Sequence, residues 1–289
     1  MLIVMEKQAS AAAVDVVVNL IREHGLREHI SRGSEVTIIG AVGDERVLNP
    51  QKIMALPQVA RAIRVLHDWK IISREMQNEN SVISVRGVPF GGEQVLHIAS
   101  QISELNQANA LYADPFFVSN NPYEQASQAQ EKAQLKAMRE AIATAHDANK
   151  PVLLRVRDVR QIQEALAAGA DILYLGGELM SNRTLLQEVG RLNTPVVLCK
   201  DKHHRYQDWL LAAEHIALQG NHQIILGEAG TLSFEPDHIH RLDIEAMVRV
   251  RRLSHLPVLA NISQLWHNEM PSAVLKNLAI AAGASGVIL

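Results

Sequence analysis

Two residues hold positions where a charged group could do chemistry. Lys200 closes the apolar run 195–199, and Glu228 closes the run 223–227. A lysine at a strand end can form a Schiff base with a carbonyl substrate, but no neighbour in the sequence supplies the pKa depression this needs. A carboxylate in such a place serves acid–base chemistry or braces the strand end. His203, His204, His238, His240 and His267 also follow apolar runs. Imidazole ligates zinc, copper, iron and nickel. Adjacent or i,i+2 histidines without a carboxylate pattern nevertheless read as solvated loop residues. Cys199 is the one cysteine, so a disulfide within the chain and a Cys-paired zinc site are both excluded. Arg241, Arg249, Arg251 and Arg252 give one segment a basic side. Three of them fall near the end of a predicted helix, where they suit its dipole.

The elements that must position these residues come in two sets. In the first, LIVM (2–5) reads as a strand, and Val14, Val17, Val18 and Ile21 recur at helical spacing before Gly25. His29–Ser31 and Val36–Val42 read as strands around the turn Arg32-Gly33-Ser34. Asn49-Pro50 opens a short helix, and Ala60–Leu66 is a further strand. The order strand, helix, strand, strand, helix, strand is the ferredoxin-like pattern. A strand is expected at 81–88, and Pro89-Phe90-Gly91-Gly92 reads as a turn.

In the second set, helical and strand-like segments alternate. Val95, Ile98, Ile102 and Leu105 predict a helix over 93–105. Apolar runs follow at 109–112, 151–156, 171–175, 195–199, 223–227, 256–260 and 285–289. Between them the pattern predicts helices at about 124–147, 158–168, 180–192, 206–219, 241–253 and 271–282. Continuous apolar strands separated by helices argue for a parallel sheet covered on both faces. Without a Rossmann glycine fingerprint, a (β/α) barrel is favoured over a doubly wound sheet.

Composition narrows the function. Apolar residues are 47% of the 289 and charged residues 20%, which supports a large core and excludes a mostly disordered chain. The formal charge of −3 argues against nucleic-acid binding, and the 4% aromatic content argues against a large aromatic interaction surface. The opening MLIVMEKQ lacks the basic flank and apolar length of a signal peptide. No run approaches the roughly 18–20 apolar residues of a membrane span. The expectation is a cytoplasmic protein with no membrane partner.

Longer stretches carry a resemblance. MLIVM, HISRGSEVTIIGAVGDE (29–45) and KIISRE (70–75) resemble the N-terminal regulatory domain of class Iβ 3-deoxy-7-phosphoheptulonate (DAHP) synthases. NPYEQ (121–125), LLQEVGRLNTPVVLCK (185–200), DWLLAAEHIALQGN (208–221), IILGEAGTLSFEP (224–236) and LSHLPVLANIS (253–263) follow the same family in order. The resemblance implies an α/β fold with a ferredoxin-like regulatory domain over 1–75 and a TIM-type (β/α)8 barrel over 76–289. It also implies a metal-dependent condensation of phosphoenolpyruvate with erythrose 4-phosphate that opens aromatic amino-acid biosynthesis.

The departures from the family pattern are as specific. The family holds its metal with a Cys, a His, a Glu and an Asp. The Gly-Pro-Cys turn has no counterpart, because GVPFGG (87–92) runs directly into EQVLHIASQISEL (93–105), which is matched to the first barrel helix. The expected consequence is a missing first strand. The family His follows Asp-Pro-Ser, and the matching stretch is Asn261-Ile262-Ser263-Gln264. The Glu and the Asp would lie beyond Leu289. Cys199, inside a strand, is no substitute. The phosphate-binding Lys-Pro-Arg-Thr-Ser segment reads Phe117-Val118-Ser119-Asn120-Asn121, and family arginines are replaced by Glu178, Ala229 and Leu232. Lys200 and Glu228 are kept, as vestiges.

The resulting expectation is a catalytically silent homologue, a degenerate member of the family with no metal and no cofactor, in a regulatory or ligand-binding role. The alternative is an active DAHP synthase or a related aldol-type transferase. The barrel is expected to be incomplete and altered at the seam between its first and last strands, with 81–88 or a partner chain covering the gap. His29 and Ser31 match family positions that line an effector site, where an imidazole and a hydroxyl can bind tyrosine's phenol. The implied partners are tyrosine or phenylalanine, a second copy of the chain in a homo-oligomer, and an active DAHP synthase.

Overall fold

The computed structural model describes residues 1–289 apart from 33–36, 65–67, 118–122 and 124–127. The chain divides into two compact units, Met1–Glu79 and Asn80–Leu289.

The first unit runs β1 (Leu2–Met5), α1 (Ala11–Glu23), β2 (Arg27–Arg32), β3 (Thr37–Val42), α2 (Pro50–Met54) and β4 (Val59–Ile63). Its strands form one antiparallel sheet in the order β2-β3-β1-β4, the ferredoxin-like arrangement. Ser10 starts α1 by accepting from the Ala13 N–H at 3.2 Å. Val14, Val17, Val18 and Ile21 form the buried stripe, packed with Ile3, Met5, Ile39 and Ala41 of the sheet. Strand alternation sends their neighbours to the opposite face, where Leu2 is buried with Met76. The turn Arg32-Gly33-Ser34 and the end of the expected strand 60–66 lie outside the described residues.

The second unit opens with a hairpin, β5 (Ile83–Val85) and β6 (Val88–Phe90). Then come β7 (Leu96–Ala99), β8 (Ala110–Ala113), α3 (Gln128–Asp147), β9 (Val152–Val156), α4 (Gln161–Ala167), β10 (Ile172–Leu175), α5 (Arg183–Gly190), β11 (Val196–Cys199), α6 (Tyr206–Ala217) and β12 (Ile224–Glu228). A two-residue hairpin pair follows, β13 (Thr231–Leu232) and β14 (His240–Arg241), then α7 (Ile244–Leu253), β15 (Val258–Asn261), α8 (Ser272–Ala281) and β16 (Gly286–Ile288). β7 to β12, β15 and β16 close into a barrel of parallel ladders. Alternate residues fill its interior, among them Ile98, Ala110, Leu153, Ile172, Val197, Ile225, Leu259 and Ile288. Trp209 fastens α6 to β11 by donating from Nε1 to the Leu198 carbonyl at 2.8 Å.

The closed barrel corrects the expected seam defect. The first barrel strand is present as β7, within the segment read as a helix. It pairs with β8 on one side and β16 on the other, and Gly286, Val287 and Ile288 stand opposite Leu96, His97 and Ile98. Backbone bonds from Leu96 N to the Ser285 carbonyl and from Leu289 N to the Ile98 carbonyl, at 3.0 and 3.1 Å, complete the closure. A Cβ at Gly286 would stand 2.6 Å from Leu259 Cδ2 and 3.2 Å from Leu96 Cβ, so any larger residue there would force the neighbouring side chains to shift. The helix-like spacing of Val95, Ile98, Ile102 and Leu105 does not match the burial of this segment. Val95 and Ile102 are largely exposed, whereas Leu96, Ile98 and Ala99 are buried. The residues that pack follow a strand. What is shortened is the covering helix, because only the 3-10 segment Ile102–Gln107 joins β7 to β8. The 81–88 segment fills no gap. It lies in the β5–β6 hairpin, whose Ile83, Val85 and Phe90 join the interior cluster. Ser81 N bonds the His255 carbonyl at 2.8 Å, and Arg86 pairs with Asp171 at 2.7 Å. Both partners precede barrel strands, so the hairpin plugs the N-terminal end.

Candidate active site at the barrel mouth

The C-terminal ends of the barrel strands surround a cleft of about 500 Å³ lined by Tyr112, Arg155, Arg157, Glu178, Lys200, Lys202 and Asn261 among others. The charged groups at this end of the barrel, those lining the cleft and those beneath it, come from strand ends. Asp114 follows β8, Arg155 lies in β9 with Arg157 just past it, Lys200 follows β11, and Glu228 ends β12. Gly177 lets the loop after β10 lie against the loop after β11, since a Cβ would meet the Lys200 carbonyl at 2.6 Å. Glu178 is thereby set over the mouth.

The arginines are already engaged. Arg155 donates from Nη2 to Glu178 Oε1 at 2.8 Å, and its Nη1 lies 3.4 Å from Asp114 Oδ2. Arg157 grips Asp114 with two bonds, Nε to Oδ1 at 3.0 Å and Nη2 to Oδ2 at 2.5 Å. Its guanidinium also lies over the Phe117 ring, 5.1 Å from the centroid. Burial opposes charge on Glu178, yet Arg155 and Arg157 hold its carboxyl below the usual range. Burial likewise opposes the charge of Arg155, and Tyr112, Glu178 and Asp114 outweigh it, raising its pKa. Lys202 is shifted down, by burial and then by Arg155.

Lys200 and Glu228 are brought to the same corner. Lys200 is 1% exposed and lies 3.2 Å from Asp243 Oδ2, with the Asp201 and His204 carbonyls each at 3.3 Å from Nζ. Glu228 is fully buried; Oε1 accepts from Gly230 N at 2.7 Å and from Asp243 N at 3.1 Å. Oε2 has no partner among the described residues. Burial pushes the Glu228 carboxyl up to about 7, with Lys200 and the two backbone donors pulling the other way. Asp243 links the pair and also caps α7 by accepting from Ala246 N at 2.9 Å. Deeper in the barrel, Asn261 donates to the Tyr174 hydroxyl at 3.0 Å, and Tyr112 meets Tyr174 edge-on with centroids 4.8 Å apart. Cys199 is buried, and that burial raises its thiol to about 12.

The remaining candidates separate. His204 pairs with Asp201 at 3.0 Å, and His203 is exposed. His240 lies 3.2 Å from Lys202 Nζ. His238 and His267 stack on each other, away from the mouth cleft. His29 lies on β2 opposite Gly40, on the sheet face away from the helices. Ser31 continues β2 opposite Ile38, and its side chain lies outside the described residues, as do 118–122 of the altered phosphate segment and part of NPYEQ. The basic residues of α7 are used locally, for example Arg249 with Glu245 at 2.7 Å. Sequence patterning alone does not single out Asp114, Arg155 and Arg157. The signal available was a charged pair breaking the apolar run LLRVR (153–157) at a strand end.

Comparison with known proteins places this barrel. A family model described as the DAHP synthase ferredoxin-like domain matches residues 1–67. A second, described as the DAHP synthetase I family, matches residues 129–289, more than half of the chain. The chain belongs to the DAHP synthetase I family. A curated relative, phospho-2-dehydro-3-deoxyheptonate aldolase of Thermotoga maritima, is 31% identical over 100% of this chain and 88% of its own length. Among solved structures, the phospho-2-dehydro-3-deoxyheptonate aldolase (DAHP synthase) of Thermotoga maritima matches with a TM-score of 0.69 at 29% identity. It covers 100% of this chain and 87% of that one. A truncated 3-deoxy-D-arabino-heptulosonate 7-phosphate synthase from the same organism matches with a TM-score of 0.63 at 28% identity, over 76% of this chain and 83% of that one. Like a DAHP synthase, this chain joins a ferredoxin-like sheet to a (β/α)8 barrel. No helix among the described residues is long and apolar enough to cross a membrane.

Proposed function

We propose that this DAHP synthetase family member is silent in the condensation of phosphoenolpyruvate with erythrose 4-phosphate and serves a regulatory or ligand-binding role in aromatic amino-acid biosynthesis. The observation that carries the reading is the ion-pair set Arg155–Glu178 and Arg157–Asp114, which joins the neighbouring ends of β8, β9 and β10 along one side of the mouth. A phosphorylated sugar needs convergent cations free to meet it. Here two arginines face two carboxylates, and Lys200 faces Asp243. A phosphate would have to displace charge-assisted hydrogen bonds worth roughly 1.5–3 kcal/mol each.

The metal that the family uses fits these residues poorly. The chain leaves β7 through Ser100-Gln101 and β15 through Ile262-Ser263-Gln264, which offer neutral oxygens and amides in place of a thiolate and an imidazole. Asn261 is committed to Tyr174 and Ser263. Cys199 is fully buried inside β11 rather than in a loop at the strand end.

The regulatory half of the reading rests on the sheet of the first unit. His29 and Ser31 would receive tyrosine or phenylalanine on the face that carries Gly40 and Leu2. Paired copies of the chain would cover that site, with an active DAHP synthase as a further partner in the cytoplasm.

The test is an assay of purified protein with both substrates and added Mn²⁺. The expected outcome is no product above background. Turnover at roughly 1 s⁻¹ or more would reverse the reading. The second reading, an active synthase, is favoured by one observation. Lys200 lines the mouth cleft with Glu228 buried beside it, and a carboxyl titrating near neutrality can give or take a proton. Under that reading Lys200→Ala abolishes a measurable rate.

A further inference from the structure

We propose that His238, His267 and Glu269 form a binding site for a divalent transition-metal ion, with zinc the best match to the donor set. One ligand atom from each lies within 4.8 Å of the others, the one such cluster of His, Cys, Asp and Glu among the described residues. The two imidazoles lie face to face, with centroids 3.4 Å apart and planes inclined by 7°. His267 Nδ1 is buried and has no hydrogen-bond partner among the described residues, an arrangement that costs free energy unless something satisfies it. Two imidazoles and a carboxylate are a nitrogen–oxygen set suited to zinc, cobalt and nickel rather than to magnesium or calcium.

The fold supports these side chains from two loops. His238 stands in the loop between β13 and β14. His267 and Glu269 stand in the loop after β15, which is tied by reciprocal backbone bonds between His267 and Met270 at 3.1 and 3.0 Å. All three residues line a cleft of about 660 Å³ whose wall also carries Glu235, Asp237 and Glu245. None lines the barrel-mouth cleft. Glu245 is paired with Arg249 and Arg241 also lines the cleft, which leaves Glu235 and Asp237 as the carboxylates beside the cluster, and water can complete the ligand set. Ligand atoms around tetrahedral zinc are about 3.3 Å apart at bonds of about 2.0–2.1 Å. To reach that spacing the two rings must tilt out of their stack until their lone pairs converge. His240 takes no part, because Lys202 lies beside its ring. The ion would clamp the 231–241 hairpin to the loop after β15. The proposal is independent of whether the mouth is catalytic.

The experiment is a zinc titration of the full chain after stripping with EDTA, repeated with cobalt as a spectroscopic probe. One saturable site is expected, with a cobalt absorption spectrum of low-coordinate nitrogen–oxygen ligation. His238→Gln and His267→Gln should each weaken binding by about tenfold or more, and His203→Gln should leave it unchanged. On the unmodified chain, zinc should protect His238 and His267, but not His203, from acylation by diethyl pyrocarbonate. That measurement decides the matter if either variant fails to fold. Absence of saturable binding, unchanged affinity in both variants, or protection of His203 and His204 instead would overturn the proposal.

Discussion

At the residue scale, the mouth shows how far one side chain's setting changes its chemistry. Glu228 and Glu178 occupy neighbouring parts of one barrel end, and their carboxyls are shifted in opposite directions. Glu178 faces two guanidinium groups. Glu228 is fully buried, with Oε1 held by backbone N–H groups and Oε2 unpartnered. Its folded-state pKa of about 7 exceeds its ordinary value of 4.5. The folded protein therefore binds that proton more tightly than the unfolded chain. The contribution to stability is fully present below the ordinary value and is lost as pH rises through about 7. Glu228→Gln, neutral at every pH, should escape this loss. We expect its stability relative to the parent to rise by on the order of 3 kcal/mol between about pH 4.5 and pH 8. Urea unfolding at both pH values checks the difference. A constant difference would mean that Glu228 titrates normally.

At the element scale, β7 decides whether the barrel closes. Its four residues meet β16 and β8, and Ile98 points into the interior cluster. Ile98→Ala should cost about 2–5 kcal/mol as a buried truncation. Ile102 is 49% exposed in the 3-10 segment, and Ile102→Ala should stay within about 0.5 kcal/mol. Paired denaturation curves measure both. Equal losses would point to a helix over 93–105, with both residues on its buried stripe. The same closure explains why the chain tolerates so short a β7–β8 connection. Strand pairing satisfies the backbone, while the β5–β6 hairpin supplies Phe90, Ile83 and Val85 to the barrel's N-terminal end.

At the scale of the whole molecule, two units carry separate parts of the proposal. In the first, β2 and β4 are the sheet edges, and the row His29, Gly40, Leu2, Ile63 runs across the face opposite the helices. Ile63 is 38% exposed, and Ile38 is only partly buried. Edges and part-covered apolar faces are what a second copy would cover. The expected outcome is a homo-oligomer in sedimentation. Tyrosine at 100 times its dissociation constant should stabilise it by about 2.7 kcal/mol, read as a thermal shift. His29→Ala should abolish the shift while leaving the domain folded. A monomer, or a shift untouched by His29→Ala, would separate this sheet from effector binding.

Much of this was settled by residue order alone. The ferredoxin-like order, seven of the eight barrel strands and the placement of Lys200 and Glu228 at strand ends followed from apolar periodicity, which local burial obeys. The first barrel strand did not, because Val95, Ile98, Ile102 and Leu105 mimic a helical stripe, and only strand pairing shows which of them are covered. The pairing of Arg155 and Arg157 with Glu178 and Asp114 was also beyond reach, since these residues come from three strand ends far apart in sequence. So was the meeting of His238 with His267 across two loops. Periodicity reports which side of an element is buried. Which charges neutralise one another, and which imidazoles touch, is decided where separate strand ends and loops converge.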